Sequence, residues 1–182
     1  MRFLPTEIPE LRRIELDPVC DERGFFARTY CVAEFAAAGI EKAMIQDSIG
    51  HNIYSGTLRG MHLHAAAFPQ TRLVRCISGA AFVAALDLRS SSPAFLTVDT
   101  FRLTEKNGTA LFIPHGIALG YQTLVDDTTI YYQMSEFYDP AQERGVRWDD
   151  PAFAIPWPDA VRTIKKRDAS YPDFDSKSSE WR

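Results

Sequence analysis

Two histidines one residue apart, His62 and His64, stand in the segment TLRGMHLHAAAFPQTRLVRCISGAAFVAALDLR at 57–89, just after Arg59 and before a run that alternates and then becomes wholly apolar. On a strand, residues two apart project to the same face. The pair therefore reads in three ways: as ligands of a divalent metal, as acid–base groups, or as two histidines packed in a core. Two neutral imidazoles alone rarely hold a divalent ion against water, because stable sites supply three or four protein ligands. The choice rests on what other chemistry the chain brings to the same face.

The elements that would position them are short strands. From residue 11 to 137 the chain runs in period-two segments, RRIEL, FFARTY, RLVRCIS, FLTVDTFRL and TIYYQMSEF, divided by the turn-formers DERG, RSSSP and EKNG. That rhythm predicts an all-β chain, an antiparallel sandwich or barrel. One segment departs from it: CVAEFAAAGI, 31–40, has helical spacing and stops at Gly39. Two glycine-spaced signatures of cupin-type jelly-roll barrels are legible. Gly56 is followed by five residues, then His62-x-His64 and later Gly79; Gly108 is followed by five residues, then Pro114-x-Gly116. The metal-binding version of that barrel takes a glutamate four or five residues after the second histidine, where this chain has Phe68 and Pro69. It takes a further histidine three residues after the second motif's glycine, where this chain has Leu119. The expectation is a metal-free site.

Composition sets the bounds. A chain of 182 residues is expected to form one domain over 1–182 and to bury about two thirds of its unfolded surface. The tail from about 139, rich in Pro, Trp and charge, is expected to pack on the barrel as turns and a short helix, with 176–182 loose. A net charge of −4 with scattered Lys and Arg argues against nucleic acid or an anionic membrane as partner, while leaving room for a local pair of arginines on a phosphate. Cys20, Cys31 and Cys76 are three, widely spaced, and form no Cys-x-x-Cys pair, so reduced thiols are expected. The proline-broken, acidic start MRFLPTEIPE has no signal-peptide core, and AAFVAAL is too short to span a bilayer. The protein is expected to be cytoplasmic.

Taken together, DERGFFARTY, GTLRGMHLH, RLVRC, IPHGIALGYQTL, YYQMSEFYDP, ERGVRWDDPAFAIPWP and KKRDASYPDF resemble, in order and spacing from about residue 5 to 175, the dTDP-4-dehydrorhamnose 3,5-epimerase family of metal-free cupins. The resemblance implies epimerisation at C3, C5 or both of a nucleotide-linked 4-keto-6-deoxy sugar. The hydrogens beside the ketone are acidic; a base takes one, an acid returns it to the other face, and the ketone is the electron sink, so no cofactor is implied. By resemblance His62 is the base, Asp168 the carboxylate that orients it, and Tyr132 the acid. A phenol, with an ordinary pKa of about 10, still holds its proton at neutral pH. Arg23 and Arg59 match pyrophosphate contacts, for which a guanidinium is suited by its bidentate geometry. Tyr138 matches an aromatic stacked on the base, and Gln46 and Glu143 match polar contacts to the ligand. The resemblance also implies a homodimer in which an N-terminal strand joins the partner's sheet and the partner contributes to the pocket.

Several positions leave the family pattern. A histidine of Phe-Ala-His-Gly is Leu119, the lysine of Lys-Leu-Val-Arg is Arg72, a glutamine is His64, and the asparagine after Gln-Asp is Ser48. Leucine donates nothing to a ketone oxygen, whereas Arg72 keeps the charge but is essentially never neutral. His64, sharing a face with His62, is a candidate replacement donor in an altered pocket. The alternatives are a related reaction on another nucleotide-activated sugar, or a non-catalytic nucleotide-sugar binder.

Overall fold

Two antiparallel sheets face one another, and the computed structural model describes residues 1–176. The expected looseness of 176–182 falls, beyond Ser176, outside the described residues. Strand β1 (Arg2–Pro5) opens the first sheet at its edge. It pairs with β2 (Arg12–Glu15). After the hairpin of β3 (Val19–Asp21) and β4 (Gly24–Phe26), helix α1 (Val32–Ala37) leads to β5 (Gln46–Asn52), the opposite edge of that sheet. The central hairpins follow: β6 (Thr57–His64), β7 (Arg72–Ser78), β8 (Ala80–Asp87), β9 (Val98–Thr104), β10 (Ala110–Ile113), β11 (Ile117–Thr123) and β12 (Thr128–Met134). The first sheet runs β1-β2-β10-β7-β12-β5. The second runs from β13 (Glu143–Gly145) through β6, β11 and β8 to β9, with β14 (Thr163–Ile164) laid parallel against β6 and leading into α2 (Lys166–Ala169).

The period-two reading of RLVRCIS matches β7, and that of FLTVDTFRL and TIYYQMSEF matches β9 and β12. FFARTY departs from it. Only Gly24–Phe26 is strand, because Tyr30 turns inward to pack edge-on against Phe35 of α1, and its hydroxyl accepts the Met44 N–H at 3.1 Å.

Burial explains the wholly apolar run AAFVAAL. β8 is an interior strand covered on both faces, as such runs usually are. Ala81, Val83 and Ala85 join Val74, Leu111 and Ile130 in the core between the sheets. Ala84 and Leu86 point outward, beneath Phe153, Ile155 and Trp157 of the C-terminal segment. The outer face of the first sheet is covered instead by Phe35 and Ile40, packed on Ile14, Leu73 and Phe112. The C-terminal segment was expected as turns and a short helix. It contributes two strands as well, and these carry it back to the middle of the molecule.

Candidate active site

β6 is the spine of the site, and its local geometry depends on Gly60. That residue sits at φ +116°, and a Cβ there would lie 2.6 Å from the Gly120 Cα on the neighbouring β11. Only glycine lets the two backbones approach so closely. His62 pairs with Leu119 of β11 on one side and with Gly145 of β13 on the other.

The acid partner of His62 arrives from the far end of the sequence. β14 pairs Thr163 with Thr57 and Ile164 with Leu58 in parallel, so the chain runs alongside β6 and delivers α2 next to His62. The Asp168 Oδ1 lies 2.9 Å from His62 Nε2, and its Oδ2 accepts the Gly60 N–H at 3.2 Å. Asp168 is 1% exposed. Burial alone would push this carboxyl up, but the hydrogen bond and charge of His62, the Gly60 N–H and Arg167 together hold it below its ordinary value. It stays a carboxylate at neutral pH and keeps the imidazole in one orientation.

A cavity of about 290 Å³ opens in front of this pair, with His62, Asp168 and Leu119 on one wall and Tyr132 and Arg72 on the wall formed by the first sheet. Burial and then the neighbouring Tyr121 hold Tyr132 well above the ordinary phenol range. Arg72 is buried; its Nη1 donates to the His62 carbonyl at 3.2 Å and its Nη2 to the Ile117 carbonyl at 2.8 Å. Burial lowers its pKa to about 10, which leaves it protonated at neutral pH. Neither hydrogen bond reaches a carboxylate, so this cation is available to an electron-rich group entering the cavity. Arg59, exposed at the mouth, donates from Nε to Asn52 Oδ1 at 2.8 Å.

The remaining expected residues divide. Glu143 lines the cavity, brought there by β13, and is clamped by Arg167. Gln46 and Tyr138 meet each other, with the Tyr138 N–H donating to Gln46 Oε1 at 2.9 Å, but neither lines the cavity. Arg23 is in the exposed β3–β4 turn, held by Asp21, also away from the cavity. Ser48 pairs with Tyr132 across β5 and β12. His64 stands off the cavity wall, 5.7 Å from the Phe68 ring, with its Nε2 buried and without a hydrogen-bond partner among the described residues. Burial first and the Arg72 charge second lower its pKa to about 4.

Three cavity residues escaped the sequence reading. Arg167 approaches His62 Nε2 at 3.3 Å and Asp168 Oδ1 at 3.3 Å; its place directly before Asp168 was the available signal. Lys165 and Tyr121 also line the cavity. Tyr121 follows Leu119 by two on the same strand, so the period-two rule that paired the histidines would have placed it.

Comparison with known proteins decides the family. A family model described as dTDP-4-dehydrorhamnose 3,5-epimerase matches residues 5–176. The chain belongs to the dTDP-4-dehydrorhamnose 3,5-epimerase family. A member from Sinorhizobium fredii is 34% identical over 96% of this chain and 90% of its own length. A dTDP-4-dehydrorhamnose 3-epimerase from Streptomyces niveus is 33% identical over 92% and 81%. The crystal structure of a 3,5-epimerase from Bacillus anthracis, with TDP and PPi bound, superposes with a TM-score of 0.92 at 30% identity, covering 95% of this chain and 99% of that one. Members of this epimerase family are isomerases, and their jelly-roll fold is the fold seen here.

Proposed function

We propose that this epimerase inverts one or both carbons flanking the ketone of a nucleotide-linked 4-keto-6-deoxy sugar of the dTDP type. The observation that carries the reading is the placement of the His62–Asp168 pair and Tyr132 on walls formed by different sheets of one cavity. A base on one face and an acid on the other is what inversion through an enolate requires.

With His62 Nε2–H donated to Asp168, Nδ1 is left to take the carbon-bound proton. The electron pair moves to the ketone oxygen, where the Arg72 guanidinium, with no carboxylate partner among the described residues, stabilises the enolate. Tyr132 then gives its proton to the opposite face of the carbon. Four cationic residues line the cavity, Arg59, Arg72, Lys165 and Arg167, against two carboxylates, Glu143 and Asp168. That excess of positive charge suits a pyrophosphate and an enolate. Leu119 on the wall next to His62 supports a reaction narrowed to one carbon, which a 3-epimerase among the relatives makes a chemically reasonable outcome.

The partner proposed is a second copy of the chain. Phe25 and Phe26 on the β3–β4 hairpin are 68% and 78% exposed, and Ile49 on the β5 edge is 66% exposed. Such apolar groups at a hairpin and an open edge suit burial against a copy of the same surface, and the hairpin would carry Arg23 toward the partner's cavity.

The test is proton NMR with dTDP-4-keto-6-deoxyglucose in D2O. Loss of the C3 or C5 hydrogen signal that vanishes in His62→Ala supports the reading and counts the carbons. Saturable binding without exchange at either carbon would sink it in favour of a binding protein.

A further inference from the structure

Arg59 stands exposed at the cavity mouth, yet one edge of its guanidinium is tied down. Nε donates to Asn52 Oδ1 at 2.8 Å, and Nη2 donates to the His51 carbonyl at 3.1 Å. The Nε–H and one Nη2–H lie side by side on the planar fork, so both acceptors engage the same edge. His51 and Asn52 close β5, in the first sheet, whereas Arg59 belongs to β6 in the second. The link therefore crosses between the sheets where the cavity opens.

Asn52 suits this hold on both of its sides, and it is only 3% exposed. A guanidinium only donates, so the amide atom facing Arg59 is the oxygen and Nδ2 lies on the other side. There Nδ2 donates to the Thr128 carbonyl at 3.0 Å and to the Gly50 carbonyl at 3.1 Å. A reversed amide would set Nδ2 against the cation and Oδ1 against two carbonyls. The two sides together fix one orientation. The Tyr121 hydroxyl also donates to Oδ1, at 3.3 Å, which uses the second lone pair of that oxygen.

We propose that Asn52, aided by the His51 carbonyl, is a positioning residue for Arg59: it occupies one edge of the guanidinium and holds the free edge, Nη1–H beside the second Nη2–H, as a two-pronged donor for the ligand's pyrophosphate. The inference rests on the epimerase reading above, which brings a pyrophosphate to this mouth. Nη1 has no hydrogen-bond partner among the described residues, and no carboxylate among them pairs with Arg59, so its charge is not neutralised. Two parallel N–H groups match two oxygens of a phosphate. An arginine at a surface ordinarily samples many rotamers, and ordering it weakens the binding step. Here the fold has ordered it beforehand.

Nitrogen-15 NMR of the whole protein reads the link without turnover. The Arg59 Nε–H signal, assigned by its loss in Arg59→Lys, is expected to exchange with water more slowly than that of free arginine, and to return to the free rate in Asn52→Ala. Calorimetry with dTDP is expected to show about three- to tenfold weaker binding in Asn52→Ala, the effect of leaving one long side chain unordered. KM for dTDP-4-keto-6-deoxyglucose should rise to match, with kcat within roughly twofold of wild type, because the contact holds substrate and transition state alike. In an Arg59→Ala background, adding Asn52→Ala is expected to leave dTDP affinity unchanged, since no guanidinium remains to be positioned; a purely structural role would weaken binding equally in both backgrounds. An unprotected Arg59 Nε–H in the wild type, or equal losses in the two backgrounds, would overturn the proposal and leave the epimerase reading standing wherever C3 or C5 exchange persists. A wild-type protein that fails to bind dTDP would instead overturn the epimerase reading, and this inference with it.

Discussion

Asp168 shows how much a single side chain decides. It accepts from His62, from the Gly60 N–H and from Arg167, and it is almost wholly buried. Asp168→Asn keeps the shape but offers an N–H where His62 needs an acceptor, which drives the imidazole into the other tautomer. Turnover is expected to fall about 10³- to 10⁴-fold, the loss such a substitution causes in a His–Asp pair, with dTDP affinity nearly unchanged in calorimetry. His64 carries the opposite kind of prediction. Its folded pKa of about 4 lies below its unfolded value of 6.5, so the unfolded chain binds the proton more readily. The stability linked to this ring is full above pH 6.5 and is lost as pH falls toward 4. Thermal melts should therefore show a decline on the order of 1–3 kcal/mol across that window, and His64→Gln should flatten it; an equally steep decline in the variant would assign the effect elsewhere. The pairing of His62 with Asp168 became legible only through the family resemblance, since 105 intervening positions hide it from any local pattern. The position of His64 was misleading for a physical reason. Sharing a face with His62 does not ensure reaching the same cavity when β6 ends there and Phe68 folds back over the ring.

At the scale of elements, β6 joins the whole site, meeting β11, β13 and β14 along its length. A methyl group at Gly60 would press on the Gly120 Cα and on the Leu119 carbonyl at 2.7 Å, both backbone atoms that cannot rotate away, in a conformation unfavourable to any other residue. Gly60→Ala is expected to cost about 2–4 kcal/mol. This would lower the melting midpoint by roughly 5–15 °C for a chain of this size. A midpoint within a degree or two of wild type would show that β6 and β11 can separate without penalty. The strands of the central hairpins were legible because alternation and turn residues agree there. β13 and β14 were not, because three and two residues are too short for a period to register. They exist because β6 offers free backbone groups on the flank that β11 leaves open, a tertiary cause that no local pattern carries.

For the whole molecule, the distribution of covered and uncovered surface leads to the last prediction. Helix α1 covers the outer face of the first sheet, and the C-terminal segment covers that of the second. The β1 edge is blunted by charge, with Arg2 and Arg13 both paired to Glu15. Uncovered apolar groups include Val19, Phe25 and Phe26 on the β3–β4 hairpin and Ile49 and Ile53 at the β5 edge, with Phe137 beyond β12 a further one. A free monomer would expose these groups to water at a cost of about 25 cal/mol for each Å² of apolar surface. In the proposed dimer, pairing of two copies would remove that cost and carry the hairpin's Arg23 from water toward a neighbouring cavity. Light scattering should therefore report a dimer. Substituting both Phe25→Asp and Phe26→Asp should yield a monomer with the barrel's melting midpoint preserved and dTDP affinity reduced at least tenfold. Arg23→Ala should lower affinity to a similar degree while leaving the dimer intact, since it removes the proposed phosphate contact and not the apolar surface. A wild-type monomer with full turnover would mean that each cavity is complete in one chain, and that the exposed phenylalanines answer to some other surface.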